Sequence, residues 1–292
     1  MDVTRVGQRG LIFSFAEPFL TNVYVILGEN RTYICDTFCG PDPMSDLMSW
    51  LHENENPAEE LFVFNSHADY DHIWGNSFFK STILGHKLCR ERVIEKGEEE
   101  LEKYGSHAQG KIELIPPNLV FEDSIMWMDE GVRFFHTPGH TADSASCYDE
   151  IDQILFVGDN IEHPLPLLNS LDFETYLRIL DSYVEMDWQT LVAGHDAVQT
   201  DSILLLVNRE YISQMIQWDV DVFELDSDAL KVHIYNLSKL ASDLLQGKID
   251  HKVSGHFAEV IRRVEWAKDL EIDVQLMRRL REVANDNRAN RL

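Results

Sequence analysis

The sequence has few cysteines, no long apolar run and no secretory pattern. Its four cysteines, Cys35, Cys39, Cys89 and Cys147, show no CxxC spacing, which argues against a thiolate zinc motif and favours free thiols in a reducing compartment. No stretch approaches the roughly 18 apolar residues of a membrane-spanning helix. The first residues lack a basic segment followed by an apolar one. We therefore expect a cytoplasmic protein that does not enter a membrane.

Basic residues are also scarce relative to acidic ones. The chain carries 25 lysines and arginines against 51 aspartates and glutamates, which gives a formal net charge of −26. Such a surface would repel a phosphate backbone, so the composition argues against nucleic-acid binding. We expect a small-molecule partner instead.

The chain alternates β-rich and helical segments up to about residue 202. Two strand-rich halves, each with helices, predict an α/β protein in which two sheets pack face to face with helices outside. Beyond this point the strand pattern stops and amphipathic helical patterns follow. We therefore predict a sandwich domain over residues 1–202 and a helical C-terminal extension over 203–292. The extension is expected either to cover the mouth of a site or to form a homodimer interface.

Polar residues follow several apolar runs of the predicted sheets. The segment HADYDH, residues 67–72, comes after the strand-like run Leu61–Phe64. Three more polar residues each follow an apolar run and a glycine: His140, Asp159 and His195. A preceding glycine gives the backbone freedom to turn and aim the next side chain. Because open α/β sheets place ligands beyond the carboxyl ends of their strands, these groups should meet at one edge.

This edge would collect seven nitrogen and oxygen donors, which indicates a metal centre. In an extended segment, residues 67 and 69 share one side, while residues 71 and 72 diverge towards a second position. A divalent ion needs about three protein ligands and a place for water, and two ions about 3.5 to 4 Å apart can share a bridging carboxylate. We predict a dinuclear site in which the first ion takes His67, Asp69 and His140, the second takes Asp71, His72 and His195, and Asp159 bridges them.

The order of these motifs resembles that of the metallo-β-lactamase superfamily. The family signature is H-x-H-x-D-H after a strand, then a glycine-preceded histidine, a Gly-Asp and a late Gly-His. Here HADYDH, TPGHTADS, VGDN and VAGH occur in that order, and the resemblance extends from about Thr21 to His195. It implies an αββα sandwich of two mixed β-sheets flanked by helices, with two metal ions at its open edge. The helices after residue 202 are outside the family's common core.

Asp69 departs from the family pattern, which usually has histidine at this position. An additional carboxylate should weaken the Lewis acidity of the site and shift its preference towards harder ions such as iron or manganese. The identity of the two divalent ions is therefore left open among zinc, iron and manganese. A carboxylate here also resembles the diiron flavoprotein branch, whose pattern is H-x-E-x-D-H, although we find no convincing flavin-binding half in the sequence.

The motifs predict a hydrolase that uses a metal-bridging hydroxide on an ester, thioester, lactone, amide or phosphodiester bond of a small molecule. Asp71 is the candidate catalytic residue, since it could orient the water or shuttle a proton. His163, on a loop after Asp159, is a candidate for substrate contact. Two alternatives stay open. One is a diiron or other non-haem iron oxidoreductase, suggested by Asp69, and the other is a non-catalytic binding protein that metal stabilises.

Overall fold

A computed structural model describes residues 1–217, 219–222 and 224–245 of the chain. Within these residues the chain forms twelve strands and six α-helices, joined by loops and short 3-10 turns. The strands are β1 (Asp2–Val6), β2 (Gly10–Phe15), β3 (Thr21–Leu27), β4 (Arg31–Cys35), β5 (Glu60–Asn65), β6 (Thr82–His86), β7 (Leu119–Phe121), β8 (Ser124–Trp127), β9 (Val132–His136), β10 (Ala145–Asp149), β11 (Ile154–Phe156) and β12 (Thr190–Val192). The helices are α1 (Pro41–Asn54), α2 (Tyr70–Ile73), α3 (Lys87–Tyr104), α4 (Phe173–Glu185), α5 (Ile203–Gln217) and α6 (Ser227–Leu245).

The first seven strands form one mixed sheet in chain order. β1 to β4 pair antiparallel, and residues 28–30 form the hairpin loop between β3 and β4. β4 to β7 run parallel. Parallel neighbours need crossover connections, and α1 and α3 provide two of them. The carboxyl ends of β4 and β5 therefore lie side by side at the same edge of the sheet.

The last five strands form a second mixed sheet in the order β12-β11-β10-β9-β8. β8 to β11 pair antiparallel, whereas β11 and β12 run parallel with α4 as their crossover. The residues that follow β11 and β12 consequently emerge at one edge. This edge faces the carboxyl ends of the first sheet's parallel strands, because groups from both sheets meet there.

The two sheets pack face to face over a shared apolar layer. Tyr33 and Phe64 of the first sheet contact Phe134 of the second, with ring centroids 5.9 and 4.6 Å apart. All three side chains are fully buried, and burying a side chain of this size contributes about 1.5 to 3 kcal/mol. The αββα sandwich of two mixed sheets predicted from the sequence is confirmed.

Helices cover the outer faces of both sheets. α1 is amphipathic and buries Met44 and Leu47 against the first sheet. α5 and α6 pack with α4 on the second sheet, where Ile212 and Leu237 share one apolar cluster with Leu191. None of the described helices is both long and apolar enough to cross a membrane. The rest of the predicted helical extension, 246–292, lies outside the described residues, and the division at residue 202 and the homodimer stay predictions.

His233 on α6 gives the stability of this helical layer an expected pH dependence. The side chain is 1% exposed, and burial lowers its pKa to about 4. The unfolded chain binds a proton near pH 6.5 while the folded protein does not, so stability is lost as the pH falls from 6.5 towards 4. Between pH 7.5 and 5 this one group should remove about 2 kcal/mol of unfolding free energy.

The variant His233→Gln should not show this loss. Urea unfolding of both proteins at the two pH values, with a chelator present so that metal binding does not contribute, measures the difference. An identical pH dependence in the two proteins would contradict the assignment.

Candidate metal centre

The seven predicted ligands come together at the edge where the strands of both sheets end. His67 and Asp69 follow β5, and Asp71 and His72 lie on the short helix α2. The loops after β9, β11 and β12 supply His140, Asp159 and His195. Their ligand atoms form overlapping groups in which all atoms lie within 4.8 Å of one another. The structure therefore brings all seven residues together, and their roles as ligands stay a prediction.

The donor atoms separate into the two predicted groups. In the first group, Asp69 Oδ2 lies 3.5 Å from His67 Nε2 and 3.4 Å from His140 Nε2. The second group is formed by Asp71, His72 and His195. In it, His195 Nε2 lies 3.3 Å from Asp71 Oδ2 and 3.3 Å from His72 Nε2.

Asp159 lies between the two groups. Its Oδ2 atom is 3.2 Å from the Nε2 atoms of both His72 and His195. The same oxygen is 3.6 Å from His67 Nε2 and 3.9 Å from His140 Nε2. One carboxylate oxygen thus faces all four imidazoles, which is the position that a bridging ligand would need.

The four imidazoles turn Nε2 towards the centre. His140 Nδ1 lies 3.0 Å from Leu167 O, and His195 Nδ1 lies 2.7 Å from Leu20 O. A carbonyl oxygen can only accept, so both Nδ1 atoms donate, and Nε2 is the nitrogen that a cation would bind after displacing any proton there. His140 Nε2 accepts a bond from the Asn169 amide at 2.9 Å.

Asp36 orients the other two imidazoles. Its Oδ2 lies 2.7 Å from His72 Nδ1 and accepts a 2.7 Å bond from Ser66 Oγ. Ser66 Oγ, having donated to Asp36, accepts from His67 Nδ1 at 3.0 Å. Asp36 is fully buried. A carboxylate that fixes the tautomer and orientation of a histidine is the usual support for a metal-binding imidazole.

The donor set fits one or more divalent cations. Among the described residues, the buried atoms His67 Nε2 and Asp159 Oδ1 have no hydrogen-bond partner. A buried polar atom without a partner costs about 1 to 3 kcal/mol. The lone pairs of His72 and His195 face each other across 3.3 Å, an arrangement that requires a proton or a cation between them. Imidazole and carboxylate together suit zinc, iron and manganese.

Two glycines shape the backbone around Asp159. Gly158 has a φ of +54°, a conformation that residues with a Cβ rarely adopt. Gly194 is required for space instead, because a Cβ there would lie 2.2 Å from Asp159 Oδ1. The glycine-preceded motifs therefore serve two different purposes, conformational freedom at one position and close approach at the other.

Residues 16–195 match the family model of the metallo-beta-lactamase superfamily. The chain belongs to this superfamily. The chain is similar to the solved structure of a metallo-beta-lactamase from Hirschia baltica, with 17% sequence identity and a TM-score of 0.57. The similarity covers 73% of this chain and 97% of that chain. A metallo-beta-lactamase from Pontibacter korlensis is also 17% identical, with a TM-score of 0.58 over 73% of this chain and 98% of that chain. A comparison with curated proteins found no match.

An arginine pairs with Asp69, the position at which this superfamily member departs from the common motif. Arg92 on α3 donates to Asp69 Oδ1, to Glu100 at 2.9 Å and to Asp143 at 3.4 Å. Burial opposes ionisation of Asp69, but the charges of His67 and Arg92 outweigh it and hold the pKa of Asp69 well below its ordinary value. Only Oδ2 of Asp69 is left to face the two histidines. Glu100 and Asp143 share this arginine, so its single positive charge offsets only part of the additional carboxylate.

Removing this arginine should destabilise the metal-free protein. Arg92→Met would leave the buried Asp143 and the largely buried Asp69 without their cation, which typically costs about 3 kcal/mol or more. Arg92→Lys, which keeps the charge but not the two-pronged geometry, should lose less. Urea unfolding in the presence of a chelator measures both. Equal stability of the methionine variant and the wild type would show that the network contributes nothing.

Glu162 was not predicted from the sequence but lies at the centre. Its carboxylate, His140 and Asp159 form a further group with ligand atoms within 4.8 Å of one another. Burial raises the pKa of Glu162 to about 7. The predicted substrate-contact residue His163 follows it and lines the cavity above the centre, together with His140, Asp159 and His195.

Two buried asparagines connect the C-terminal helices to the loops of the metal centre. Asn208 on α5 accepts from Glu162 N at 2.8 Å and donates to Glu162 O at 2.9 Å. Asn236 on α6 accepts from Leu168 N at 3.0 Å and donates to Pro166 O at 2.9 Å. The residue between these two backbone groups supplies the carbonyl oxygen that holds His140 Nδ1. Helices outside the matched residues 16–195 thus position a predicted ligand.

We expect Asn236→Leu to weaken metal binding at the first group selectively. Pro166 O and Leu168 N would lose their partners, and the displaced loop would no longer hold His140. Loss of such an outer contact typically lowers metal affinity about 10-fold to 100-fold. Calorimetric titration of the metal-free protein should show one weakened site and one unchanged site. Asn54→Leu on α1, which is far along the chain and exposed, is the matched control. If Asn236→Leu binds metal as the control and the wild type do, the bonds from Asn236 to the loop do not position His140.

Proposed function

We propose that this superfamily member is a metal-dependent hydrolase acting on an ester, thioester, lactone, amide or phosphodiester bond of a small molecule. The observation that carries the proposal is the convergence of four Nε2 atoms on one buried Asp159 oxygen, at distances of 3.2 to 3.9 Å. Divalent ions held there would lower the pKa of water and polarise the bond to be cleaved. A cavity of about 530 Å³ opens directly on these residues, which is large enough for a small-molecule substrate.

The residues of the chain have separate parts in this proposal. The four histidines and Asp159 would hold two ions, with Asp69 completing the first group and Asp71 the second. Asp71 Oδ2 lies 3.3 Å from His195 Nε2, and Asp71 lines the cavity, so in this proposal Asp71 would accept a hydrogen bond from water and take up its proton. His163 lines the same cavity and would contact the substrate.

An iron-dependent oxidoreductase is the second candidate function. Asp69 gives the first group a carboxylate in place of the usual histidine, and carboxylates favour harder ions. The pairing of Asp69 with Arg92 reduces that effect, because the arginine offsets part of the additional negative charge. Hydrolysis is therefore the proposal that the described contacts support better.

Metal reconstitution tests the two functions against each other. The metal-free protein would be loaded separately with Zn²⁺, Mn²⁺ or, under anaerobic conditions, Fe²⁺, and each form assayed for ester and phosphodiester hydrolysis and for oxygen consumption. We expect about two ions per chain by elemental analysis and hydrolysis that requires them. His67→Ala should lose metal and hydrolysis, whereas His52→Ala on α1 should retain both. Oxygen consumption without hydrolysis would favour the oxidoreductase, and metal binding with neither activity would favour a binding protein.

A further inference from the structure

The cavity above the metal centre is lined by residues that are far apart in the chain, from the segment before β3 to α6. Phe19 and Leu20 before β3 line one side, and Tyr70 and Tyr104 come from α2 and the end of α3. Val232 and Tyr235 of α6 complete the wall. The substrate would therefore contact α6, which lies outside the residues that match the family model.

The charged residues of this cavity are acids and histidines. Among the described residues that line it, none is lysine or arginine, while Glu162 and Asp196 add carboxyl groups beyond the predicted ligands. Arg92 and Lys239 line an adjoining cavity instead, where Arg92 is engaged by three carboxylates and Lys239 contacts Asn169. The described lining of the cavity thus offers no lysine or arginine to a carboxylate or phosphate on the body of a substrate.

Four aromatic rings, those of Phe19, Tyr70, Tyr104 and Tyr235, line this cavity. The rings of Tyr70 and Tyr104 stack with centroids 4.5 Å apart, and Phe19 meets the ring of His195 edge-on at 5.6 Å. Tyr235 is 54% exposed even though it is a large side chain on a helix whose other face is buried. An exposed ring at the rim of a cavity is available to pack against an apolar group of a ligand.

We propose that the substrate is an uncharged carboxylic acid derivative with an apolar chain, and that Tyr235 on α6 contributes to its selection. This inference rests on the proposed hydrolase function and narrows its substrate class to the carbonyl compounds. In the reaction, the oxygen of water forms a bond to the carbonyl carbon and the bond to the leaving group breaks. The leaving group departs with one proton of the water, and the acid product releases the other. A neutral substrate thus becomes an anionic product.

Binding to the metal-free protein tests the charge preference without any turnover. The probes are N-(4-nitrophenyl)hexanamide and 4-(hexanoylamino)benzoate. They share one skeleton, but the first carries a neutral nitro group where the second carries a carboxylate. Equilibrium dialysis with absorbance detection should show the neutral probe binding about tenfold more tightly, a difference of 1.4 kcal/mol. Equal binding of the two probes, or tighter binding of the benzoate, would overturn the charge argument.

Two variants at the rim test the part played by α6. Tyr235→Ala should weaken binding of the neutral probe about fivefold, because one aromatic contact is lost. Tyr235→Lys should bring the benzoate probe closer to the neutral one in affinity, since it adds a cation at the mouth. Ile151→Lys, which replaces a side chain of similar exposure (58%) outside the cavity, is the charge control and should change neither affinity. Unchanged binding in both Tyr235 variants would remove the helix from the proposal.

Turnover by the metal-loaded protein separates failure of this inference from failure of the hydrolase function. With 4-nitrophenyl hexanoate and bis(4-nitrophenyl) phosphate as substrates, we expect the neutral ester to be strongly preferred and Tyr235→Ala to raise its KM with little change in kcat. Metal-dependent cleavage that prefers the phosphodiester would refute the substrate class and leave the hydrolase function intact. Absence of metal-dependent cleavage of either compound would refute the hydrolase function itself.

Discussion

Asp159→Asn is expected to reduce hydrolysis about a thousandfold or more and to remove at least one bound ion. The amide preserves the shape of the side chain but replaces an anionic oxygen that faces four imidazole nitrogens. Without its charge, two cations could not be held close together, and losing the metal's contribution removes several kcal/mol of transition-state stabilisation, of which 4 kcal/mol corresponds to a thousandfold. Elemental analysis and steady-state kinetics on the same preparation measure the two effects.

Thermal unfolding provides a second readout for this variant. A ligand that binds only the folded state stabilises it in proportion to the logarithm of its concentration over Kd. Metal should therefore raise the Tm of the wild type clearly and that of Asp159→Asn much less. Asp2→Asn at the exposed start of β1 serves as the control and should respond like the wild type. If Asp159→Asn keeps two ions and full activity, Asp159 is not a bridging ligand.

Asp36→Ala is expected to lower both the stability of the protein and its affinity for metal. The buried carboxylate accepts bonds from Ser66 N and Ser66 Oγ and holds His72 Nδ1, each at 2.7 Å. Leaving these three donors unpaired should cost at least about 3 kcal/mol of unfolding free energy, at about 1 kcal/mol or more for each buried group. The backbone of residue 36 has a φ of +66°, in the left-handed region. Alanine is strained there, whereas aspartate and asparagine tolerate this region better. Affinity for the ion at His72 should fall about 10-fold to 100-fold.

Asp36→Asn distinguishes the two consequences. Asparagine keeps the backbone conformation and one acceptor oxygen, so urea unfolding of the metal-free protein should show a smaller loss than in the alanine variant. Its oxygen can keep the bond from Ser66 N, but its amide nitrogen, which replaces Oδ2, accepts no hydrogen bond. The bonds from Ser66 Oγ and His72 Nδ1 are therefore lost, and metal titration should still show a weakened second site. Wild-type stability and wild-type metal affinity in the alanine variant would show that Asp36 does not support the centre.

The convergence of the seven residues was predictable from the sequence because they all follow apolar runs. Polar residues after such runs must emerge at strand ends, and glycine before them indicates a turn or a close approach. The prediction that the segment HADYDH is extended through residues 71 and 72 was wrong, because Tyr70–Ile73 forms a helical turn. Asp71 and His72 reach the second group from that turn.

Other parts of the site could not be read from one sequence. Asp36 does follow a strand, β4, so the same rule would have found it. Arg92 lies on a helix with many charges, and nothing local distinguishes the one that points at Asp69. Asn208 and Asn236 act through loops 46 and 68 residues away in the chain, a relation that only tertiary packing creates. The first two strands, β1 and β2, were not recognised in the sequence either.

The asparagine bonds from α5 and α6 also bear on how this protein can be divided. Residues 16–195 hold all seven predicted ligands, so a fragment ending there would contain every one of them. Such a fragment would nevertheless lose the partners of Glu162, Pro166 and Leu168 and expose the apolar face of the second sheet. The smallest fragment that would keep the candidate metal centre intact is therefore longer than the residues that match the family model, and chimeras that exchange C-terminal regions would have to carry both helices together with the loop they hold.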